Sequence, residues 1–341
     1  MENEKYVRRI QLVAGSTYAV ALPKHWAKDN NIRKGSLVEV TVLPGGGILI
    51  EPVKEETNRG LEKNKTVAKV EFSADKYSRA LREIISSYIA GAEVIEVYYN
   101  LSESEIVDKL MEQLHNILLG VEVLEREPGI VRLYAVLDDY AVSFWDGYSK
   151  MKRAVIGMLK TMDSAISSDD ETLARLVIRR DDMVDRLYLY LVRQMTRSLL
   201  EARAKMALGL ESPAEAPHIF LAIKSLERIG DHSTIIASIA IESGGPKHLK
   251  EIQYYLGKTR EIVMKASSLI EKPDKDEADK QATIASSLRK TLRELSDKWS
   301  PFLARAATSL ERINGYAQDV LEASIDIQTI RDRASFIEAL K

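Results

Sequence analysis

Two stretches, PHIFLAIKSLERIGDHSTIIASIA at residues 217–240 and PFLARAATSLERINGYAQDVLEAS at residues 301–324, share a leading Pro and an internal SLERI at the same offset. The starting residues, 217 and 301, lie 84 positions apart. A frame repeated at that distance marks a duplicated helical unit. Pro suits the first turn of a helix, and the Leu and Ile of SLERI serve packing. The frame is kept while one acid is lost: Asp231 of the first copy is Gly315 in the second.

Outward from the repeat, the punctuation sets helix limits. Ser168 with Glu171, and Ser212-Pro213 with Glu215, have the spacing of capping boxes; SGGP from Ser243 closes a helix, and Pro273 and Ser300-Pro301 separate later ones. The pattern predicts six helices in two three-helix repeats, 139–245 and 246–330, followed by a tail at 331–341. Residues 66–138 alternate differently. Strands are expected at 66–72, 93–99 and near Val121 and Val131, with helices at 75–90 and from Ser102, where Glu105 completes a capping-box spacing. The charged stretch KEETNRGLEKNK from Lys54, residues 54–65, has no periodicity and reads as a linker.

Residues 1–53 are strand-rich. Arg8–Val13 and Tyr18–Leu22 are strand-like, Pro23 starts a short helix, and LVEVTVLPGGGILIEP alternates about a Pro-Gly turn, as a hairpin does. Four strands in so few residues cannot close a core alone, so pairing of two copies is expected, with Tyr18 and Trp26 inside. The fold class is therefore multidomain and mostly α: an N-terminal β dimerisation module, a small central α/β layer, and tandem three-helix bundles.

The chain has 341 residues, 29% of them charged, and a formal net charge of −2. Between Lys5 and Ile50, seven Lys/Arg stand against two Asp/Glu, giving +5 and leaving −7 for the remainder. A basic end on an acidic body is the asymmetry expected of a module that touches a polyanion. There is no Cys, which excludes disulfides, thiolate metal sites and Cys nucleophiles. No apolar run has the length of a membrane helix and no signal segment opens the chain, so a cytoplasmic location without membrane insertion is expected.

Arg8-Arg9-Ile10, Gly15-Ser16-Thr17-Tyr18, Leu22-Pro23-Lys24, Ile32-Arg33-Lys34-Gly35 and the hairpin from Leu37 to Glu51 resemble the AbrB/SpoVT/MazE swapped-hairpin DNA-binding domain. The resemblance implies interlocked hairpins in a homodimer that presents basic residues to duplex DNA. Arg8, Arg9, Lys24, His25, Lys28, Arg33 and Lys34 are the candidate contacts.

The candidate metal ligands lie in the first helical repeat. DDMVDRL puts Asp181 and Asp185 four apart on one helix, and LERIGDHSTIIA puts Glu227 and Asp231 four apart on the next. Residues i and i+4 share a helix face, so packing the two helices could gather four carboxylates, which only a cation would stabilise; His232 could add a nitrogen. Arg180, Arg186 and Arg228 stand beside these acids and could instead neutralise them.

The paired repeats and these two motifs resemble the PhoU family of phosphate-transport regulators over about 140–330. That resemblance implies a regulator rather than an enzyme, one divalent or trivalent metal such as iron or zinc, and partners among phosphate ABC transporter components or a signalling kinase. The Asn usual near the end of the third-helix motif is Ile235 here. In the second repeat Glu311 survives, but Gly315 replaces its partner and the helix at 276–300 has no carboxylates four apart. Asp276, Glu277 and Asp279 suit the start of that helix, and Glu322 and Asp326 read as a solvated face. One metal site at most is expected, in the first repeat.

Overall fold

The computed structural model describes residues 6–13, 15, 17–42, 47–53, 66–137, 143–200 and 208–339. The linker expected at 54–65 lies outside them. The chain divides into two compact units, 1–64 and 65–341.

In the first unit, β1 (Gln11–Val13) pairs antiparallel with β2 (Thr17–Ala19), and β3 (Val38–Val42) with β4 (Ile48–Pro52). The short helix α1 (Lys24–Asp29) starts after Pro23, whose carbonyl accepts from Ala27 N–H. No described residue of this unit is buried. The expectation that Tyr18 and Trp26 pack inside is not met in the single chain: Tyr18 is 78% exposed and Trp26 half-buried. Two separate two-stranded hairpins offer no second layer against which to pack an apolar face.

The second unit opens with a four-stranded sheet of β5 (Val67–Glu71), β6 (Val94–Tyr98), β7 (Val121–Glu127) and β8 (Ile130–Ala135), in the order β5-β6-β8-β7. β5 and β6 run parallel, joined by α2 (Tyr77–Ile89); after α3 (Ser104–Ile117) comes the β7–β8 hairpin, with β8 antiparallel between β6 and β7. Period-2 alternation buries Val70, Val97, Val131 and Leu133 against Ile84, Leu110 and Leu114 of the helices. The opposite face of the sheet is polar, with Arg132 donating to Glu96 at 2.9 Å and Glu125 at 3.0 Å. The capping box read at Ser102 and Glu105 does not form. A 3-10 turn at 101–103 precedes α3, and Asn100 Oδ1 accepts from Ser102 N–H.

Among the described residues six long helices follow: α4 (Phe144–Ser168), α5 (Glu171–Leu200), α6 (Ala216–Glu242), α7 (Gln253–Glu271), α8 (Lys275–Ser296) and α9 (Pro301–Ala339). Ser212 and Glu215 make the expected reciprocal capping box before α6. Ser168 does not cap α5: it ends α4, its hydroxyl donating to Ser164 O, while Asp170 Oδ1 accepts from Thr172 N–H. The helices divide as α4-α5-α6 and α7-α8-α9, sharing one core in which Leu226 and Ile229 of the first SLERI and Leu310 and Ile313 of the second are fully buried. His232 and Tyr316 occupy equivalent positions of the repeat, and their rings meet at 5.8 Å. No separate tail follows at residue 331. α9 continues to Ala339, tied back by Arg331 Nη2 donating at 2.8 Å to Glu215, a carboxylate with no exposed surface.

Candidate functional site

Helical periodicity places Asp181 and Asp185 one turn apart on α5, and Asp231 comes to them from α6. One carboxylate oxygen of each lies within 4.8 Å of the others. The close approach depends on Gly230: a Cβ there would stand 2.8 Å from Asp181 Oδ1 and 3.3 Å from Val184 Cγ1. Glu227, the fourth expected ligand, stands apart from the trio. Its Oε1 accepts from Lys224 Nζ at 2.6 Å, while its Oε2 is buried without a hydrogen-bond donor.

The acids are only partly compensated: Arg228 meets Asp231 and Lys224 meets Glu227, while Asp181 and Asp185 make no ion pair among the described residues. Burial, reinforced by Asp185, Asp231, Glu227 and Asp182, pushes the Asp181 carboxyl up to about 7. Burial, with Glu227 and Asp231 next, pushes Asp185 up to about 6. Of the neighbouring arginines, Arg180 donates instead to Gly157 O and Thr161 Oγ1, and only Arg228 meets an acid of the trio, Asp231, at 3.2 Å. Asp181 Oδ1 and His232 Nδ1 are buried without hydrogen-bond partners. An orphaned carboxylate oxygen facing two others is a donor set that fits a hard cation, whereas His232, whose ring packs on Tyr316, does not join the three acids. Burial lowers the His232 pKa, which favours the neutral ring.

The second repeat reverses the charge. Arg289 and Arg293, four apart on α8, face Glu311 on α9: Arg293 Nη2 donates to Glu311 Oε1, and Arg289 Nη2 lies 3.8 Å away. Gly315 leaves room for Arg289, whose Cζ would lie 3.5 Å from a Cβ at that position. Arg289 Nη1 also donates to Gln318 Oε1 at 2.7 Å. Sequence reasoning noticed the missing acids but not the arginine pair, although its i,i+4 spacing was the available signal. Asp326 pairs with His218 at 3.0 Å, Asp274 caps α8 through Glu277 N–H, and Glu277 holds Lys265 at 3.1 Å. Those acids are occupied structurally.

In the N-terminal unit Arg8, Arg9, Lys24, His25, Lys28, Arg33 and Lys34 are all exposed. Lys24, His25 and Lys28 share α1. Tyr6 draws Arg8 toward that helix, with its ring 5.3 Å from His25 and the Arg8 guanidinium carbon 5.4 Å from the Tyr6 centroid. All seven thus come from the chain before β1, from α1 and from the turn before β3. Among the described residues, Arg8, Arg9, Lys24, Lys28, Arg33 and Lys34 have no carboxylate partner.

A chain of this kind joins a basic β module to a duplicated helical array with an acidic cluster in its first half. Residues 148–240 match the model of the PhoU domain, and residues 11–58 match that of the antidote-toxin recognition MazE, a bacterial antitoxin. The chain carries both a PhoU domain and a MazE/AbrB-like module. It is 24% identical over 217 residues, 64% of this chain and 83% of the relative, to the phosphate-specific transport system accessory protein PhoU homolog of Zymomonas mobilis. The crystal structure of PhoU from Pseudomonas aeruginosa aligns with a TM-score of 0.47 and 22% identity over 55% of this chain and 95% of that one. Among the described residues, no helix is long and apolar enough to cross a membrane.

Proposed function

We propose that this chain is a homodimeric, DNA-binding regulator of phosphate uptake, in which the helical array transmits phosphate status to the N-terminal module. The observation that carries this reading is the pairing of two features in one chain. One is a strand-rich module with exposed cations, matched to MazE; the other is a PhoU-type helix pair that brings three carboxylates within 4.8 Å of one another. The relative's name, an accessory protein of a phosphate-specific transport system, supports a role in phosphate transport.

At the DNA end, two copies would bring twice +5 of charge from residues 5–50 to one duplex. Arg8, Arg9 and Lys24 are assigned the first contacts, because they lie at the opening of β1 and the start of α1. Pairing also gives exposed apolar residues such as Val7 (96%) and Tyr18 (78%) a surface to cover.

At the helical end, Asp181, Asp185 and Asp231 would hold one divalent or trivalent cation, with Glu227 completing the acidic field. A bound cation supplies the positive charge that the cluster lacks. The protein's part is to deliver carboxylates from two helices, close enough through Gly230 that their separation responds to charge. Coupling to DNA requires that occupancy favour one helix arrangement over another.

The test is binding of purified protein to upstream DNA of phosphate-uptake genes against random duplex, across a salt series, with metal content measured on protein purified without added metal. Preference for the upstream DNA supports the reading; equal affinity for both defeats it. The relative's name, an accessory protein of a phosphate-specific transport system, is also compatible with a second reading: an adaptor that docks on a transporter component or a kinase, with the N-terminal module serving only to dimerise. Replacing Arg8, Arg9 and Lys24 with Ala separates the two, since regulation is abolished in the first reading and intact in the second.

A further inference from the structure

We propose that the α/β layer, residues 66–137, is the output element of the carboxylate cluster, with α5 the rod joining them and Arg193 the tie. The proposal rests on the reading above, in which a cation relieves the repulsion between α5 and α6. It assigns a role to a region that neither family match covers.

Helix α5 runs unbroken from Glu171 to Leu200, with Asp181 and Asp185 in its first half and Arg193 and Arg197 in its second. Asp185 and Arg193 are about 12 Å apart along the axis at a rise of about 1.5 Å per residue. Arg193 interrupts the apolar stripe of α5 and is only 1% exposed. Its Nη1 donates to Tyr88 O at 2.6 Å and to Ala92 O at 2.9 Å, and the guanidinium lies 4.8 Å from the Tyr88 ring centroid. Those carbonyls belong to the last turn of α2 and to the turn entering β6, where a helix end leaves acceptors to be satisfied.

One turn further along α5, Arg197 holds the same turn a second time. Its Nη2 is 3.8 Å from Glu93, and its stem occupies the space at Gly91, where a Cβ would meet Arg197 Cγ at 2.9 Å. Gly91 has φ +93°, so this contact and the backbone both require glycine. Leu189 of α5 packs against the layer's core, and Ile89 of α2 packs against both cores.

A buried guanidinium that lost its acceptors would be strongly disfavoured, so the α2–β6 turn follows α5 when α5 moves. Close-packed elements pass on small shifts instead of absorbing them. At the other end, three carboxylates repel across the α5–α6 contact until a cation or neutralisation removes the repulsion. The α5 helix thus has two preferred positions, one for each charge state of the cluster, and the layer registers which is occupied.

The test is hydrogen exchange by mass spectrometry on the full chain, with Mn(II) as probe and its binding read by electron paramagnetic resonance. Mn(II) is expected to slow exchange across residues 84–98 at least threefold in the wild type. In Arg193→Met, folded by circular dichroism, Mn(II) affinity stays within about twofold while the response at 84–98 is lost; Arg193→Lys, which keeps a donor, retains part of it. A second arm needs no metal: Asp181→Asn with Asp185→Asn removes the repulsion and shifts exchange at 84–98 in the same direction.

The proposal is overturned if Arg193→Met responds like the wild type, if the wild type binds Mn(II) without change at 84–98, or if the double Asn variant leaves exchange there unaltered. If Mn(II) fails to bind but the double Asn variant shifts exchange, the metal reading falls and the coupling stands.

Discussion

Arg289 Nη2 lies 3.8 Å from the Glu311 carboxylate, facing the position in the second repeat that corresponds to Glu227 in the first. The two glutamates share a frame and both have basic partners, Glu311 in Arg289 and Arg293 and Glu227 in Lys224 and Arg228, but Glu227 alone also adds to the charge on Asp181 and Asp185. Beside Gly315 the Arg289 guanidinium lies at ordinary contact distance from a Cβ, Cζ at 3.5 Å, and turns its Nη1 to Gln318.

Neutralising the two glutamates should therefore have unequal effects. Glu311→Gln leaves two arginines facing an amide and is expected to cost about 1–2 kcal/mol, the range for losing charge-assisted hydrogen bonds in a partly buried setting. Glu227→Gln in cation-free protein weakens the Lys224 pair but relieves repulsion on Asp181 and Asp185, and is expected to cost less than Glu311→Gln. Urea denaturation of both variants checks the contrast.

The pH dependence of cation-free protein has a definite sign. Asp181 and Asp185 are pushed up to about 7 and about 6 from an ordinary 3.8, so the folded state binds protons that the unfolded state releases. Their contribution to stability is complete below about pH 4 and is lost as pH rises through 6 to 7. The melting temperature should fall over that window, and the fall should flatten in Asp181→Asn. Cation affinity should rise over the same window, because ligation requires the deprotonated acids.

Gly230→Ala tests the helix approach. A Cβ there would stand 2.8 Å from Asp181 Oδ1, displacing that carboxylate, and 3.3 Å from Val184 Cγ1, where the neighbour must give by a few tenths of an ångström. Overpacking of this kind costs about 1–3 kcal/mol. Cation affinity is expected to fall at least tenfold, measured by titration calorimetry, while Gly257→Ala, where a Cβ meets nothing within 4 Å, should leave it unchanged.

Much of this was legible in the residues. Pro301, the Ser212–Glu215 box and the 84-residue frame fixed the helical repeats, since each is a local rule about orphan N–H groups or packing period. The capping boxes read at Ser102 and Ser168 failed because a nearer side chain, Asn100 or Asp170, reached the free N–H groups first. Asp181, Asp185 and Asp231 were visible from i,i+4 spacing on consecutive helices. Glu227's bond to Lys224 and the burial of Arg193 were not, because each depends on which neighbour a side chain turns toward after the helices pack.

At the DNA end, each phosphate contact removed should lower the slope of log affinity against log salt by about 0.9. Changing Arg8, Arg9 and Lys24 together to Ala is thus expected to flatten the salt dependence by nearly three per module, as measured by fluorescence anisotropy on duplex DNA. An unchanged slope would place the phosphate contacts on the other four cations.

The central claim, that phosphate status controls attachment to DNA, is tested most directly by genome-wide mapping of bound DNA in phosphate-replete and phosphate-starved cells. The account predicts discrete occupied sites, including DNA upstream of phosphate-uptake genes, whose occupancy changes at least severalfold between the two conditions. Bound DNA no more enriched than background in either condition, or sites whose occupancy is the same in both, would contradict it.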